Sequence, residues 1–193
     1  LETKDCRPYR TEVQLYKSLL FLKRSIDLIL CALGAVLVVP VSLVLALAIR
    51  LDSRGPILYR QKRVGQGGRE IMVHKFRTMA RDADVVLEKY LAENPDARDE
   101  WERDHKLRRD PRITRVGRFL RHTSLDELPQ LIDVLAGNMS IVGPRPIVNE
   151  EISKYGPVYS DYILVKPGIT GLWQVSGRND TSYEERVAYD FYY

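Results

Sequence analysis

From Leu28 to Ile49 the chain carries no charged residue. As a straight helix at ~1.5 Å per residue this run would reach roughly 33 Å, enough for a hydrocarbon core of ~30 Å. It lies too far from residue 1, and is too long, for the apolar region of a secretory leader. Pro40 sits near its middle, where it removes the hydrogen bond to the carbonyl of Val36 and kinks the helix; Ser42 is placed to satisfy part of the freed backbone. Lys17, Lys23 and Arg24 precede the run, and Arg50, Arg54, Arg60, Lys62 and Arg63 follow it. The positive-inside rule puts both flanks on the cytoplasmic side, so a kinked span and a helix-break-helix hairpin that enters and leaves one leaflet stand level. Both make the chain an integral membrane protein with its polar mass on one face.

Elsewhere the pattern changes period. Residues 1–22 are a mixed basic and polar lead-in, helical in part from Glu12, with no identifiable chemistry. Ile57–Val64 and Glu70–Phe76 read as two short strands joined by Gly65-Gln66-Gly67-Gly68. A phosphate-cradling glycine loop would link a strand to a helix, and here a second strand follows. Lys75 and Arg77 fall at the end of that hairpin, as surface charges or as anion contacts. Met79, Ala83, Val86, Leu87, Tyr90 and Leu91 recur at helical spacing, giving an amphipathic helix that ends at Asn94-Pro95. A charged helix follows from about Asp96 to Leu107, anchored by Trp101. Arg112–Leu120 interleaves arginines with apolar residues, as does a helix at a membrane interface or one facing a core.

The densest chemistry lies in Thr123–Leu131, where Asp126 and Glu127 are adjacent at the start of a short helix. Pro129 fits the first turn, and the helix closes at Gly137. The helix dipole would keep such a carboxylate ionised, as an oxygen nucleophile requires. Ser124-Leu125-Asp126-Glu127 also matches a capping box. Directly after the helix comes Gly143-Pro144-Arg145-Pro146, in which two prolines hold one arginine in fixed geometry. A rigid guanidinium beside an acidic pair suits a phosphate-handling site.

Downstream, Gly168, Gly171 and Gly177 mark tight turns around a short strand, with Trp173 and Arg178 as the distinctive side chains. Arg178 is a candidate phosphate contact and the aromatic a candidate for stacking on a base, although a loop packed on the core fits equally. The aromatic end, Tyr183 to Tyr193, suits an interfacial belt or packing.

With 193 residues and 45% hydrophobic content, the chain can bury one core plus a membrane element. The net charge of +4 is modest, but arginines cluster at 108, 109, 112, 115, 118 and 121. Nucleic acid, an anionic membrane or a phosphorylated substrate would each explain them, as would a solvated face paired with the acidic stretch from Glu88 to Asp104. Two cysteines imply no disulfide framework, which fits a reducing, cytosol-facing domain, and His74, His105 and His122 lack zinc-ligand spacing.

Taken together, the Lys23-Arg24-Ser25-Ile26-Asp27-Leu28 lead into the proline-broken segment, Lys75-Phe76-Arg77-Thr78-Met79, Asp110-Pro111-Arg112-Ile113-Thr114-Arg115-Val116-Gly117, and the motifs around Asp126, Arg145 and Trp173 resemble the bacterial sugar transferases. These are the monotopic polyprenyl-phosphate phosphoglycosyl transferases. The likeness runs from about Lys23 to the end, and is greatest to the undecaprenyl-phosphate galactose phosphotransferases that initiate O-antigen or capsule synthesis. It implies an α+β, predominantly helical fold: a lead-in over 1–22, a re-entrant hairpin over 23–51 broken at Pro40, and a cytosolic-face catalytic domain over 52–193, with short strands and interfacial helices, that relatives commonly continue.

The resemblance also implies roles. Asp126 would attack the phosphate nearest the sugar of a UDP-sugar, releasing UMP, and pass the phosphosugar to undecaprenyl phosphate. Glu127 would be associated with magnesium, and Arg145 would contact phosphate. Lys23 and Arg24 become candidates for the lipid phosphate, from their place where the chain meets the membrane. The expected setting is the cytosolic face of the bacterial inner membrane, with membrane lipids as partners, a homodimer contact left open and no nucleic acid. A non-catalytic assembly scaffold is the rival from another class. No motif distinguishes galactose from glucose.

Overall fold

The computed structural model describes residues 7–104, 107–177 and 181–193. The apolar run lies within one long helix, α1 (Arg7–Asp52), which continues through Pro40, where the sequence reading places a break. Among the described residues this is the one helix long and apolar enough to cross a membrane; its most apolar stretch has a mean hydropathy of 2.9 and is only 11% buried. Strands β1 (Leu58–Val64) and β2 (Glu70–Phe76) pair as expected across a turn in which Gly67 and Gly68 adopt positive φ. The chain then divides into two compact units, one of residues up to Val36, Arg63–Ile71 and Leu131–Tyr193, the other of Leu37–Lys62 and Met72–Gln130.

The second unit is built on the last turns of α1. Leu45, Ile49, Phe76 and Leu120 form its core, with Ile57, Val116, Leu125 and Leu128 packed against them. It holds α2 (Ala83–Glu93), α3 (Pro95–Asp104) and α4 (Arg115–Thr123). Met79 does not begin α2 as the periodicity suggested; it pairs with Ile113 in an isolated bridge. Pro95 opens α3, a position where its missing N–H costs nothing. Arg112 is not offered to a membrane surface: its guanidinium forks onto both oxygens of Asp110 at 2.8 and 2.7 Å and lies 4.8 Å from the Trp101 ring centre. Thr114 caps α4 by accepting from the Gly117 N–H at 2.9 Å. A Cβ on Gly117 would stand 2.0 Å from the Thr78 carbonyl oxygen, so only glycine allows that approach.

In the first unit, β3 (Ser140–Val142) and β4 (Gly168–Thr170) pair in parallel with Ser140 opposite Gly168. The crossover between them carries α6 (Ile152–Tyr155) and α7 (Tyr159–Tyr162), and α8 (Leu172–Ser176) and α9 (Tyr183–Phe191) follow β4. Val64, Ile147, Tyr155 and Tyr162 make the core. Before β3, α5 (Gln130–Leu135) ends at Gly137, φ +82°, as its sequence predicts. The early part of α1 docks here through Asp27, which is 3% exposed and accepts from the Ser140 hydroxyl and the Ile141 N–H.

Candidate active site

The acidic pair sits in a single 3₁₀ turn, Leu125–Glu127, between α4 and α5. Leu125 and Leu128, three residues apart, both pack on the second unit's core, and on a threefold turn this leaves Asp126 and Glu127 on the other faces. Ser124 is not the N-cap of a box. It ends α4 in the left-handed conformation, φ 59°, and its side chain makes no cap bond to the turn. The Glu127 carboxylate instead accepts from Lys75 Nζ at 2.7 Å, with both side chains largely buried. Lys75 reaches it from β2, on the strand face that carries the buried Ile71 and Val73.

The expected ionising effect of a helix terminus on Asp126 is not what dominates. Burial pushes its carboxyl above the usual carboxylate range and Glu127 adds to this, while Lys75 and Arg121 pull it back. A turn of three residues offers little dipole against desolvation. The result is a half-buried carboxylate whose negative charge is only partly offset, next to a second carboxylate fixed by a lysine.

A magnesium ion commonly takes one or two carboxylates from a protein and the rest of its shell from phosphate and water. The donor set here suits that mode, because Asp126 and Glu127 offer adjacent carboxylate oxygens from one turn. Among the described residues no group of three or more His, Cys, Asp or Glu would hold a metal without such help.

The first unit shapes the other candidate, Arg145. Its backbone oxygen lies 3.0 Å from the Tyr162 hydroxyl, and its guanidinium lies 5.5 Å from the Trp173 ring centre. Trp173 is 5% exposed, with Arg186 at 4.8 Å from the same ring, so it packs rather than waits for a base. Arg24 donates to the carbonyls of Val134 and Leu135 at 2.6 and 2.9 Å and so caps the end of α5. Lys23 Nζ donates to Asp27, to Ser140 Oγ and to the Val142 carbonyl. In the second unit Arg77, 7% exposed, donates to the carbonyls of Ser53 and Arg54 at 2.8 and 2.7 Å and closes the chain just past α1. Arg24 and Arg77, read from the sequence as phosphate contacts, are thus engaged with backbone carbonyls in this structure. Arg178 lies outside the described residues.

A family model described as "Bacterial sugar transferase" matches residues 18–193. The chain belongs to this family. A Salmonella typhimurium relative named undecaprenyl-phosphate galactose phosphotransferase is 49% identical over 173 residues, 90% of this chain and 36% of the relative. The Escherichia coli UDP-glucose:undecaprenyl-phosphate glucose-1-phosphate transferase is 43% identical over 181 residues, 89% of this chain and 36% of its own length. Exopolysaccharide production protein ExoY of Rhizobium meliloti is 44% identical over 171 residues, 89% of this chain and 76% of the relative. The chain thus spans about a third of the length of the first two.

In this bacterial sugar transferase, structure brings together Lys75, Asp126 and Glu127, which sequence had singled out separately. It gives individual places to three residues to which sequence reading assigned none. Arg121 stands close enough to lower the Asp126 carboxyl and is steadied by the Thr78 hydroxyl at 2.9 Å. Asp27 holds the early part of α1 on β3. Asp190, 5% exposed, accepts from the Tyr155 hydroxyl at 2.7 Å in the first unit's core. The one sequence signal for Asp27 was a carboxylate at the threshold of an apolar helix, where an unpaired charge is costly.

Proposed function

We propose that this chain is the catalytic part of a phosphoglycosyl transferase, moving a hexose 1-phosphate from a UDP-hexose to undecaprenyl phosphate at the first membrane step of surface polysaccharide synthesis. The observation that carries the reading is the half-buried Asp126 carboxyl, pushed up by burial, beside Glu127 held at 2.7 Å by Lys75. An Asp126 oxygen attacks the phosphorus nearest the sugar, the bond from that phosphorus to the bridging oxygen breaks, and UMP departs with the bond electrons. A phosphate oxygen of the lipid then attacks the same phosphorus, the bond to Asp126 breaks, and the carboxylate is regenerated with undecaprenyl-diphosphate-sugar as product.

Partial desolvation favours the first step, because the buried charge on Asp126 is relieved as the new bond forms. Lys75 fixes Glu127 and offsets part of the acidic pair's repulsion toward a diphosphate. Magnesium, held by Glu127, would neutralise charge on the diphosphate. Arg145 is a proposed phosphate contact. The exposed apolar surface of α1, with Pro40 inside the helix and basic flanks at both ends, supports a re-entrant seat in the cytosolic face of the inner membrane. The galactose-named relative at 49% identity favours galactose over glucose.

The test uses the purified chain in lipid nanodiscs. Radiolabelled UDP-galactose is expected to label the protein covalently and release UMP, with UDP-glucose a poorer donor, and Asp126→Asn to abolish both while remaining folded. Labelling that persists in Asp126→Asn removes that residue as nucleophile. A folded wild-type chain without turnover on any UDP-sugar would leave the scaffold reading in place of the enzyme.

A further inference from the structure

Two guanidinium groups of the first unit share one aromatic ring. Arg145, in the turn after β3, lies 5.5 Å from the Trp173 ring centre, and Arg186, on α9, lies 4.8 Å from it. Arg145 is half-buried, and among the described residues no hydrogen bond or ion pair takes its side chain, so the ring holds the charge while the guanidinium donors stay unspent. Arg186 places Nε 3.3 Å from the Thr181 hydroxyl. The ring sits where α8 packs on α9. Three of the four buried side-chain nitrogens or oxygens without a hydrogen-bond partner among the described residues lie on these two helices: Trp173 Nε1, Gln174 Oε1 and the Tyr183 hydroxyl. Such atoms are rare in folded proteins, and where they gather the place is shaped for something besides stability. A phenylalanine would fill the position of Trp173 without a stranded N–H, but the indole is the ring that holds a cation best.

Two cations drawn to one ring repel each other, and an anion that reaches both turns that repulsion into attraction. A guanidinium presents planar, forked donors that match phosphate oxygens in pairs. A single phosphate satisfies one such fork, whereas two linked phosphates offer oxygens to both. We infer that Arg186 is a substrate-binding residue: with Arg145 it forms a two-arginine clamp on the Trp173 ring that takes a nucleoside diphosphate by its two phosphates. The clamp rests on the proposed role of Arg145 as a phosphate contact and gives that residue a second cation.

The experiment is calorimetric binding of UDP and of UMP to the full chain in nanodiscs with magnesium present, since the two ligands differ by one phosphate and neither carries a sugar to transfer. Wild type is expected to hold UDP about tenfold or more tightly than UMP. Arg186→Ala should weaken UDP by about 10- to 100-fold, the range for lost charge-assisted hydrogen bonds, and leave UMP within about threefold, so that the preference collapses. Should Arg186→Ala fail to fold, Arg186→Lys keeps the stem and the charge but loses the fork, and a loss of about fivefold for UDP with none for UMP is expected. An unchanged UDP affinity in the folded variant, equal losses of UDP and UMP, or a wild type that holds UDP no more tightly than UMP overturns the clamp and leaves the role of Arg145 standing. Wild-type protein that binds neither nucleotide removes the phosphate role of Arg145 itself, and the clamp with it.

Discussion

Asp110 and Asp126 are two aspartates of one unit, each in a turn beside α4 and each drawn out of water, yet they end in opposite states. Burial pushes Asp110 up, but the Arg112 side chain and N–H bond it so well that its carboxyl settles below the ordinary range. Burial also pushes Asp126 up, and there Lys75 and Arg121 act only through space, so the rise survives. Desolvation alone does not mark a reactive carboxylate. What separates the two is whether a cation is spent on hydrogen bonds to it or is turned toward a neighbour, as Lys75 is toward Glu127.

The largest expected effect breaks the comparison on its reactive side. Asp126→Asn should lower UMP release by about 10³-fold or more while leaving the thermal midpoint within a degree or two of wild type, since it removes an unfavourably buried charge. Asp110→Ala should do the reverse. It strands the Arg112 guanidinium, 13% exposed, and should cost about 3 kcal/mol, or about 6–12 °C in thermal midpoint by calorimetry, with the labelling rate of the folded fraction unchanged.

Lys75→Met sharpens the contrast by removing a charge that lowers the Asp126 carboxyl. The ionised form is the nucleophile and the carboxyl already sits high, so losing Lys75 raises it further. The acid limb of the pH–rate profile should then move to higher pH, with release about tenfold slower at neutral pH. An unmoved limb would show that Asp126 does not set it. The smallest effect concerns Ser124, held at φ 59° between α4 and the acidic turn: Ser124→Gly should stabilise by about 0.5–1 kcal/mol in urea unfolding, where a capping role would predict a loss.

What the sequence made legible was local. The β1–β2 hairpin follows from two alternating runs around Gly67 and Gly68, and the end of α5 from Gly137, because both depend on backbone angles that neighbouring residues dictate. The box at Ser124-Leu125-Asp126-Glu127 misled for a physical reason. The same four residues also follow a helix, and α4 claims Ser124 as its own left-handed end. Arg24 and Arg77 read as free cations because their partners, the carbonyls of Val134, Leu135, Ser53 and Arg54, are backbone groups that no residue type reveals. For Lys75 and Glu127, separated by most of the second unit's chain, only the fold shows that they touch.

The way α1 finishes bears on how such an enzyme could be made water-soluble. Leu45 and Ile49 are half of the four-residue buried core they share with Phe76 and Leu120, and the Asp52 carboxylate accepts from the Val116 N–H at 3.1 Å. Excising the whole apolar helix to free a catalytic domain would therefore open that core and release the start of α4. A soluble variant has to be cut upstream of Leu45, keeping the last turns as structural ballast, with the outward-facing Leu47 and Leu51 recoded as polar residues.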